Sequence, residues 1–173
     1  VLKAWLMMAR IDVYEDPSNK EAFPSIAAKL KVAYGELAEF DKSILPPYIL
    51  VKVGRQLRSK GDPLQSVPWF EEVLKRGPSE YAGVAELGMA QIFAGSGDSE
   101  KEREALAMFD KVVAAYPGEK YEEEAMVDKA HLLFQREDWK NAALTYQKIF
   151  ENKRWKKDRE KVVYNMGLAF EKD

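Results

Sequence analysis

The sequence contains no cysteine and a single histidine, His131. Without cysteine it has neither a disulfide framework nor a thiolate metal site, and both reducing and oxidising compartments remain compatible with it. His131 follows Asp128 by three residues, so the two share a helical face. One imidazole and one carboxylate do not complete a zinc or di-iron site, so we predict no metal ligands.

An excess of charge of one sign is also absent. The chain has 27 Lys and Arg against 29 Asp and Glu, for a formal net charge of -2. This balance gives no global attraction to nucleic acid or to anionic lipid. No apolar run approaches the roughly 20 residues that cross a bilayer. We therefore expect no membrane span, and nucleic acid is an unfavoured partner.

Motifs that carry catalysis or bind cofactors are missing as well. The segment Gly95-Ser96-Gly97 lacks the Lys and Ser or Thr of a phosphate-binding loop and is typical of a turn. The run Glu122-Glu123-Glu124 lies near an expected helix N-terminus, where the helix dipole favours solvated acidic charge. The sequence predicts no catalytic residue and no cofactor, and hence a protein that is not an enzyme.

A helix pair is the clearest pattern that the sequence does contain. Its first helix carries Leu50, Val53, Gly54 and Leu57 on one face, and its second carries Ser66, Phe70 and Val73. Gly54 allows the second helix to approach closely. Asp62 is the expected N-cap, Pro63 the first-turn residue, and Gly77-Pro78 the stop.

The same spacing recurs along the chain. Further first helices carry Val84, Leu87 and Gly88, then Met126, Ala130 and Leu133, then Val163, Met166, Gly167 and Phe170, while Trp5, Met8 and Ala9 resemble the start of an earlier one. Further second helices carry Ala105, Phe109 and Val112, then Ala142, Tyr146 and Ile149. This pattern resembles the tetratricopeptide repeat, W-x2-L-G-x2-Y, then A-x3-F, then P. Another α-solenoid or a plain helical bundle is the alternative.

The repeats are irregular in length. The small residues at positions 9, 54, 88, 130 and 167 are separated by 45, 34, 42 and 37 residues, and only one step equals the family's period of about 34. Ser99 and Glu102 form an expected capping box that starts one second helix early. The first unit's second helix is expected from about Pro24 to Asp41, with Ile26, Leu30, Ala33, Leu37 and Phe40 facing the core. Lys129 and Arg154 depart from the motif.

The resemblance implies an all-α fold, a right-handed α-solenoid of antiparallel helix pairs. We expect one domain over residues 1–173 with about four and a half pairs, in units of about 1–46, 47–80, 81–118, 119–158 and 159–173. The first residue is Val1, so we expect a fragment of a longer chain. Tyr116-Pro117, Tyr121 and the segment from Glu137 to Ala142 resemble irregular bacterial versions, similar to periplasmic outer-membrane assembly and Tol-Pal-associated proteins.

In this family the first helix of each pair lines a concave groove that binds a protein or peptide. The implied function is a binding scaffold; the alternatives are a regulatory or oligomerisation domain of a larger enzyme or envelope-assembly protein. The candidate partner-binding residues are Lys3, Arg10, Tyr14, Tyr48, Lys52, Arg55, Arg58, Met89, Phe93, His131, Phe134, Tyr164 and Asn165. Basic residues precede apolar ones, so we expect a partner with an acidic segment and apolar anchors. The competing interpretation is that the apolar members pack between repeats.

One basic cluster, residues 153–159, surrounds Trp155. Basic residues around an aromatic ring suit RNA or anionic lipid. The favoured interpretation is a solvated turn between repeats, in which Trp155 joins adjacent helices.

Overall fold

The computed structural model describes residues 2–16, 26–59, 63–152, 154–155 and 159–172. All regular secondary structure in these ranges is helical, so the predicted all-α class is confirmed. The α-helices are α1 Leu2–Glu15, α2 Ile26–Leu37, α3 Pro47–Arg58, α4 Val67–Lys75, α5 Ala82–Ala94, α6 Ser99–Ala115, α7 Lys120–Gln135, α8 Trp139–Glu151 and α9 Arg159–Lys172. The chain forms two compact units, Val1–Ala85 and Glu86–Asp173, which are described separately.

In the first unit, helices that follow each other in sequence pack together: α1 on α2, α2 on α3, and α3 on α4. Leu50 and Val53 of α3 are fully buried, as are Phe70 and Val73 of α4. A Cβ atom added to Gly54 would lie 3.0 Å from Cζ of Phe70. The prediction that Gly54 permits a close helix approach is therefore confirmed.

Two helix boundaries in the first unit differ in part from the sequence prediction. Helix α2 ends at Leu37, not at Asp41, because the side chain of Asp41 instead caps the 3₁₀ turn Lys42–Ile44 by accepting from the amide of Ser43. Helix α4 follows a second 3₁₀ turn, Pro63–Ser66, and ends at Lys75. Gly77 has a φ of 90°, a backbone conformation that an α-helix cannot contain.

Of the residues expected to face the core from α2, Ala33 and Leu37 are buried, whereas Leu30 and Phe40 are half-buried. Pro24, Asp62 and the side chains of Trp5 and Ile26 lie outside the described part of the structure.

The second unit buries the predicted second-helix stripes. Ala105, Phe109 and Val112 of α6 join a cluster with residues of α5 and α7. Ala142, Tyr146 and Ile149 of α8 join a second cluster, which Val162 and Ala169 of α9 complete. Helical spacing therefore places the second-helix side chains where the pattern predicts. Val163 and Phe170 of α9, which the pattern also predicts on a packed face, are instead 41% and 53% exposed.

The N-cap of α6 differs from the sequence prediction. Asp98, with extended backbone, is the N-cap, and its carboxylate accepts from the amides of Glu100 and Lys101. Ser99 is the first helical residue, so the predicted capping box is wrong. Glu102 instead forms an ion pair with Arg136 of α7. Lys129, which departs from the repeat motif, forms an ion pair with Asp110 of α6.

Candidate binding surface

One open groove in the first unit is lined by the predicted face of α1. Lys3, Arg10 and Tyr14 line it together with the apolar residues Leu6, Met7, Ala9 and Val13, and Glu36 of α2 borders it. Its volume is about 590 Å³. These residues lie three and four apart on α1, which places them on one helical face. We call this set the α1 groove.

The groove combines apolar surface with charge. Leu6 is 60% exposed and Val13 46%, and their spacing of seven residues puts both side chains on the same face of α1. Lys3 and Arg10 are exposed at the same face. A smaller cavity of about 260 Å³ continues from Arg10 and Tyr14 toward α2. Lys29 of α2 lies 5.8 Å from the centre of the Tyr14 ring, within cation–π range.

Glu15, at the end of α1, organises the neighbouring candidates. Its carboxylate accepts a hydrogen bond from the hydroxyl of Tyr34 and forms an ion pair with Lys52. Burial, followed by the hydrogen bond to Glu15, raises the pKa of Tyr34 above its usual value. The ammonium of Lys52 also lies 5.3 Å from the Tyr48 ring. Lys52 therefore already forms an ion pair with an acidic residue of the chain itself.

Sequence reasoning did not single out Glu15, because Glu15 and Lys52 are 37 residues apart and no local motif joins them. The remaining basic candidates of this unit lie further along α3. Arg55 is exposed, and Arg58, the last residue of the helix, is half-buried. Asp12 and Glu15 both act on Tyr48, whose pKa is raised mainly by burial and then by these acids. The charge around Tyr48 is thus mixed and not purely basic.

The candidates of the second unit mostly contact one another or the core. Met89 is only 8% exposed, and Phe93 packs against the cluster around Phe109. The Phe134 ring meets the edge of Trp139 at a centroid distance of 4.9 Å. These placements match the interpretation in which the apolar candidates pack between helices.

Tyr146 brings two further candidates together. The His131 ring lies 5.8 Å from the Tyr146 ring, and the amide of Asn165 donates to the Tyr146 hydroxyl at 3.3 Å. Burial raises the pKa of Tyr146 to about 12, and the hydrogen bond from Asn165 acts in the opposite direction. Tyr164, in contrast, is 66% exposed.

Trp139 is a contact residue outside the candidate set, although it lies in the segment from Glu137 to Ala142 on which the family resemblance partly rests. Besides the Phe134 ring, it meets the ammonium of Lys172, 4.8 Å from its ring centre. Its position as the first residue of α8 puts it between α7 and α9. The available sequence signal was an aromatic residue directly after the N-cap Asp138.

The described part of the basic cluster contacts the protein itself. Trp155 is buried within the cluster around Tyr146, as the inter-repeat interpretation predicts. Arg159 donates to the carbonyl oxygens of Trp155 and Phe150 at 3.0 and 2.8 Å, and its guanidinium stacks over the Phe150 ring. Arg154 forms an ion pair with Glu122 at 3.3 Å. Lys153 and residues 156–158 lie outside the described residues.

Among the described residues, no cluster of three or more His, Cys, Asp or Glu side chains has a metal-binding arrangement. No helix in those same ranges combines the length and the apolar character needed to cross a bilayer. Comparisons with protein-family models, with curated proteins and with solved structures gave no match to this chain.

Proposed function

We propose that this chain is a binding scaffold of the tetratricopeptide type, a right-handed superhelix of helix pairs that holds a protein or peptide partner. The support comes from the recurring motif and from the equivalent burial of its second-helix stripes. Phe70, Phe109 and Tyr146 occupy the same motif position, and all three side chains are fully buried. The similarity to periplasmic assembly proteins adds the proposal that the partner belongs to a bacterial envelope complex.

The α1 groove is the partner-binding surface in this proposal. The observation that carries it is the coincidence of exposed apolar residues, Leu6 and Val13, with two exposed cations, Lys3 and Arg10, on one open helical face. Exposed apolar surface bordered by polar groups is typical of interaction sites. Apolar side chains anchor a peptide, and the cations favour acidic residues beside those anchors.

Lys52 has a secondary place in the proposal, because Glu15 already neutralises it. An acidic partner would have to compete with Glu15 for the ammonium, whereas no acid among the described residues forms an ion pair with Lys3 or Arg10. We therefore expect Arg10→Glu to weaken binding more than Lys52→Glu.

Binding of two peptide libraries to the full chain tests this proposal. Both libraries display the same apolar residues, but one adds Asp and Glu and the other adds Lys and Arg. We expect selection to enrich acidic–apolar peptides. Their affinity, measured by fluorescence anisotropy, should fall about tenfold in Arg10→Glu, a loss of about 1.4 kcal/mol. The charge control is Lys140→Glu, since Lys140 is an exposed lysine on α8 in the other unit.

Two results would count against the proposal. One is the enrichment of basic peptides, or of neither library. The other is an affinity unchanged by both Arg10→Glu and Leu6→Lys, which would leave the alternative function, a regulatory or oligomerisation domain, as the better supported one.

A further inference from the structure

The side chain of Glu15 joins three helices of the first unit. Glu15 is the last residue of α1. One of its carboxylate oxygens accepts a hydrogen bond from the hydroxyl of Tyr34 on α2, and the other forms an ion pair with the ammonium of Lys52 on α3. A carboxylate therefore occupies the place that these two donors, one neutral and one cationic, define together.

Other contacts of the chain hold the two donors in position. Tyr34 is buried between its neighbours. The ammonium of Lys52 lies 5.3 Å from the centre of the Tyr48 ring, one turn earlier on α3, which is within cation–π range. Arg55 is exposed three residues after Lys52, on the same helical face. The cationic side of this site thus extends along α3, beyond the reach of Glu15 alone.

The position of Glu15 makes its carboxylate a weak occupant of the site. The C-terminal end of a helix carries partial negative charge, so an acidic side chain there is unfavourable. Asp12 and Asp16 lie at the same end of α1, and its last turn contains no basic residue. The side chains of Glu15 and Lys52 are also 33% and 30% exposed, so that solvent screens their attraction.

The site begins where the α1 groove ends. Tyr14 is the last residue of α1 that lines the groove, and Glu15 is the next residue of the chain. A peptide that lies against Leu6 and Val13 and continues toward the end of α1 therefore reaches Glu15. An acidic residue of such a peptide competes with Glu15 for Lys52 without the unfavourable helix dipole that acts on Glu15.

We propose that Glu15 makes an autoinhibitory contact: it pairs with Lys52 in the free chain, and an acidic side chain of the bound peptide displaces it. The proposal rests on the proposed function, because it assigns a competitor to the same partner. Affinity for an acidic peptide is then reduced by the fraction of molecules in which Glu15 occupies Lys52. A peptide that carries apolar anchors alone does not meet this competition.

Glu15→Gln removes the competitor and keeps the fold. Gln retains an acceptor oxygen for the Tyr34 hydroxyl but no charge for Lys52, so the variant should unfold at close to the wild-type temperature. Labelled hexaglutamate is the probe, because it supplies carboxylates and no apolar anchors. We expect its affinity for the full chain, measured by fluorescence anisotropy at about 0.05 M salt, to be about fivefold higher in Glu15→Gln than in the wild type.

Two controls distinguish displacement from a general change in charge. Asp12→Asn removes a negative charge from the same end of α1 but leaves Glu15 and Lys52 in place, so its gain in affinity should stay below about twofold. In the double variant Glu15→Gln, Lys52→Gln, the gain should be lost, since the released ammonium is no longer there.

Acetylation with acetic anhydride locates the bound carboxylate. Hexaglutamate should slow the modification of Lys52, followed by mass spectrometry, because an ion-paired ammonium is a poorer nucleophile than a free amine. Lys140, an exposed lysine on α8 in the other unit, is the control and should react at the same rate with and without the peptide.

Three outcomes would overturn the proposal. Hexaglutamate could bind the wild type and Glu15→Gln equally or bind neither, Asp12→Asn could give as large a gain, or the gain could persist without Lys52. Failure of the proposed function would look different. It would appear with the acidic–apolar library peptides, as an affinity that neither Arg10→Glu nor Leu6→Lys changes.

Discussion

Tyr146 is the residue at which three helices of the second unit meet. Its ring contacts His131 of α7, its hydroxyl accepts from Asn165 of α9, and its own helix is α8. Two residues proposed from the sequence as partner contacts are therefore engaged by a core tyrosine. A ligand that used His131 or Asn165 would have to share them with Tyr146.

The raised pKa of Tyr146 predicts a loss of stability in alkali. The pKa is about 12 in the folded chain against 10.0 for the ordinary side chain. The folded state holds this proton more tightly, so the stabilisation is complete below pH 10 and is lost as the pH rises toward 12. Between pH 8 and pH 11, the free energy of unfolding of the wild-type chain, measured with urea, should fall. The fall should be smaller in Tyr146→Phe by about 1 kcal/mol. Equal losses in both proteins would contradict this expectation.

The ion pair of Glu86 and Lys111 gives a second prediction at the scale of single residues, on the stability of the fold. The carboxylate of Glu86 is largely buried, and one of its oxygens pairs with Lys111 at 2.6 Å. Lys111→Met should lower the free energy of unfolding by about 1 kcal/mol, because the largely buried carboxylate loses its counter-charge while solvent screens the exposed ammonium.

The double variant Lys111→Met, Glu86→Gln provides the control for that pair. Replacing the carboxylate with a neutral amide should restore part of the lost stability, as measured by urea unfolding. If the double variant is less stable than Lys111→Met alone, the loss has another origin.

At the scale of single residues, the sequence predicts which side chains are buried better than which surface side chains contact one another. Ala105, Phe109 and Val112 were identified because helical spacing alone determines which side chains share a face. The pairing of Lys52 with Glu15 could not be predicted, since it depends on how α1 and α3 are placed in space. The burial of Met89 likewise depends on its neighbours and not on its own helix.

At the scale of the helix, the two glycines of the repeat motif should respond oppositely to alanine. Gly167→Ala should raise the free energy of unfolding by about 0.5–1 kcal/mol, because alanine favours helix and the position is open. Gly54→Ala should lower it by about 1 kcal/mol, because the new methyl group crowds the fully buried Phe70 ring by more than the helix preference offsets. Thermal unfolding of both variants checks this, and stabilisation by both would show that Phe70 can move aside.

The start of α6 tests which residue is the cap. Asp98→Ala should destabilise the chain at pH 7 more than Ser99→Ala, because the Asp98 carboxylate accepts two backbone hydrogen bonds. Those bonds lower the pKa of Asp98 below its usual 3.8. The difference between the variants should therefore persist down to about pH 4 and shrink as the pH falls further. Thermal unfolding at pH 7 and pH 3 measures it, and a larger effect of Ser99→Ala would restore the capping-box interpretation.

Helix existence follows from the sequence more securely than helix ends do. Asp98 and Ser99 are both good N-cap residues, and only the extended backbone at Asp98 distinguishes them. Similarly, apolar spacing that continues past Leu37 predicts a helix that reaches Asp41. The residue instead caps a separate 3₁₀ turn, an alternative that apolar periodicity does not report.

For the molecule as a whole, the repeat pattern predicts the helical class but not the partner. The class follows because apolar residues recur at α-helical spacing along the chain, as in α3, α6 and α8. A partner is selected by a few surface residues on a shared frame, and such residues have no spacing rule of their own.

The distribution of charge over the chain gives the last prediction. The net charge is -2, and cations such as Lys129 and Arg154 are paired with acids of the same unit. Nucleic acid and anionic vesicles bind mainly through phosphate neutralisation, which needs available cations and weakens steeply with salt. In about 0.15 M salt, where screening acts beyond about 8 Å, the full chain should neither shift a labelled oligouridine nor sediment with phosphatidylserine vesicles. Retention under these conditions that Arg154→Glu abolishes would instead assign a phosphate-binding role to the segment around Trp155.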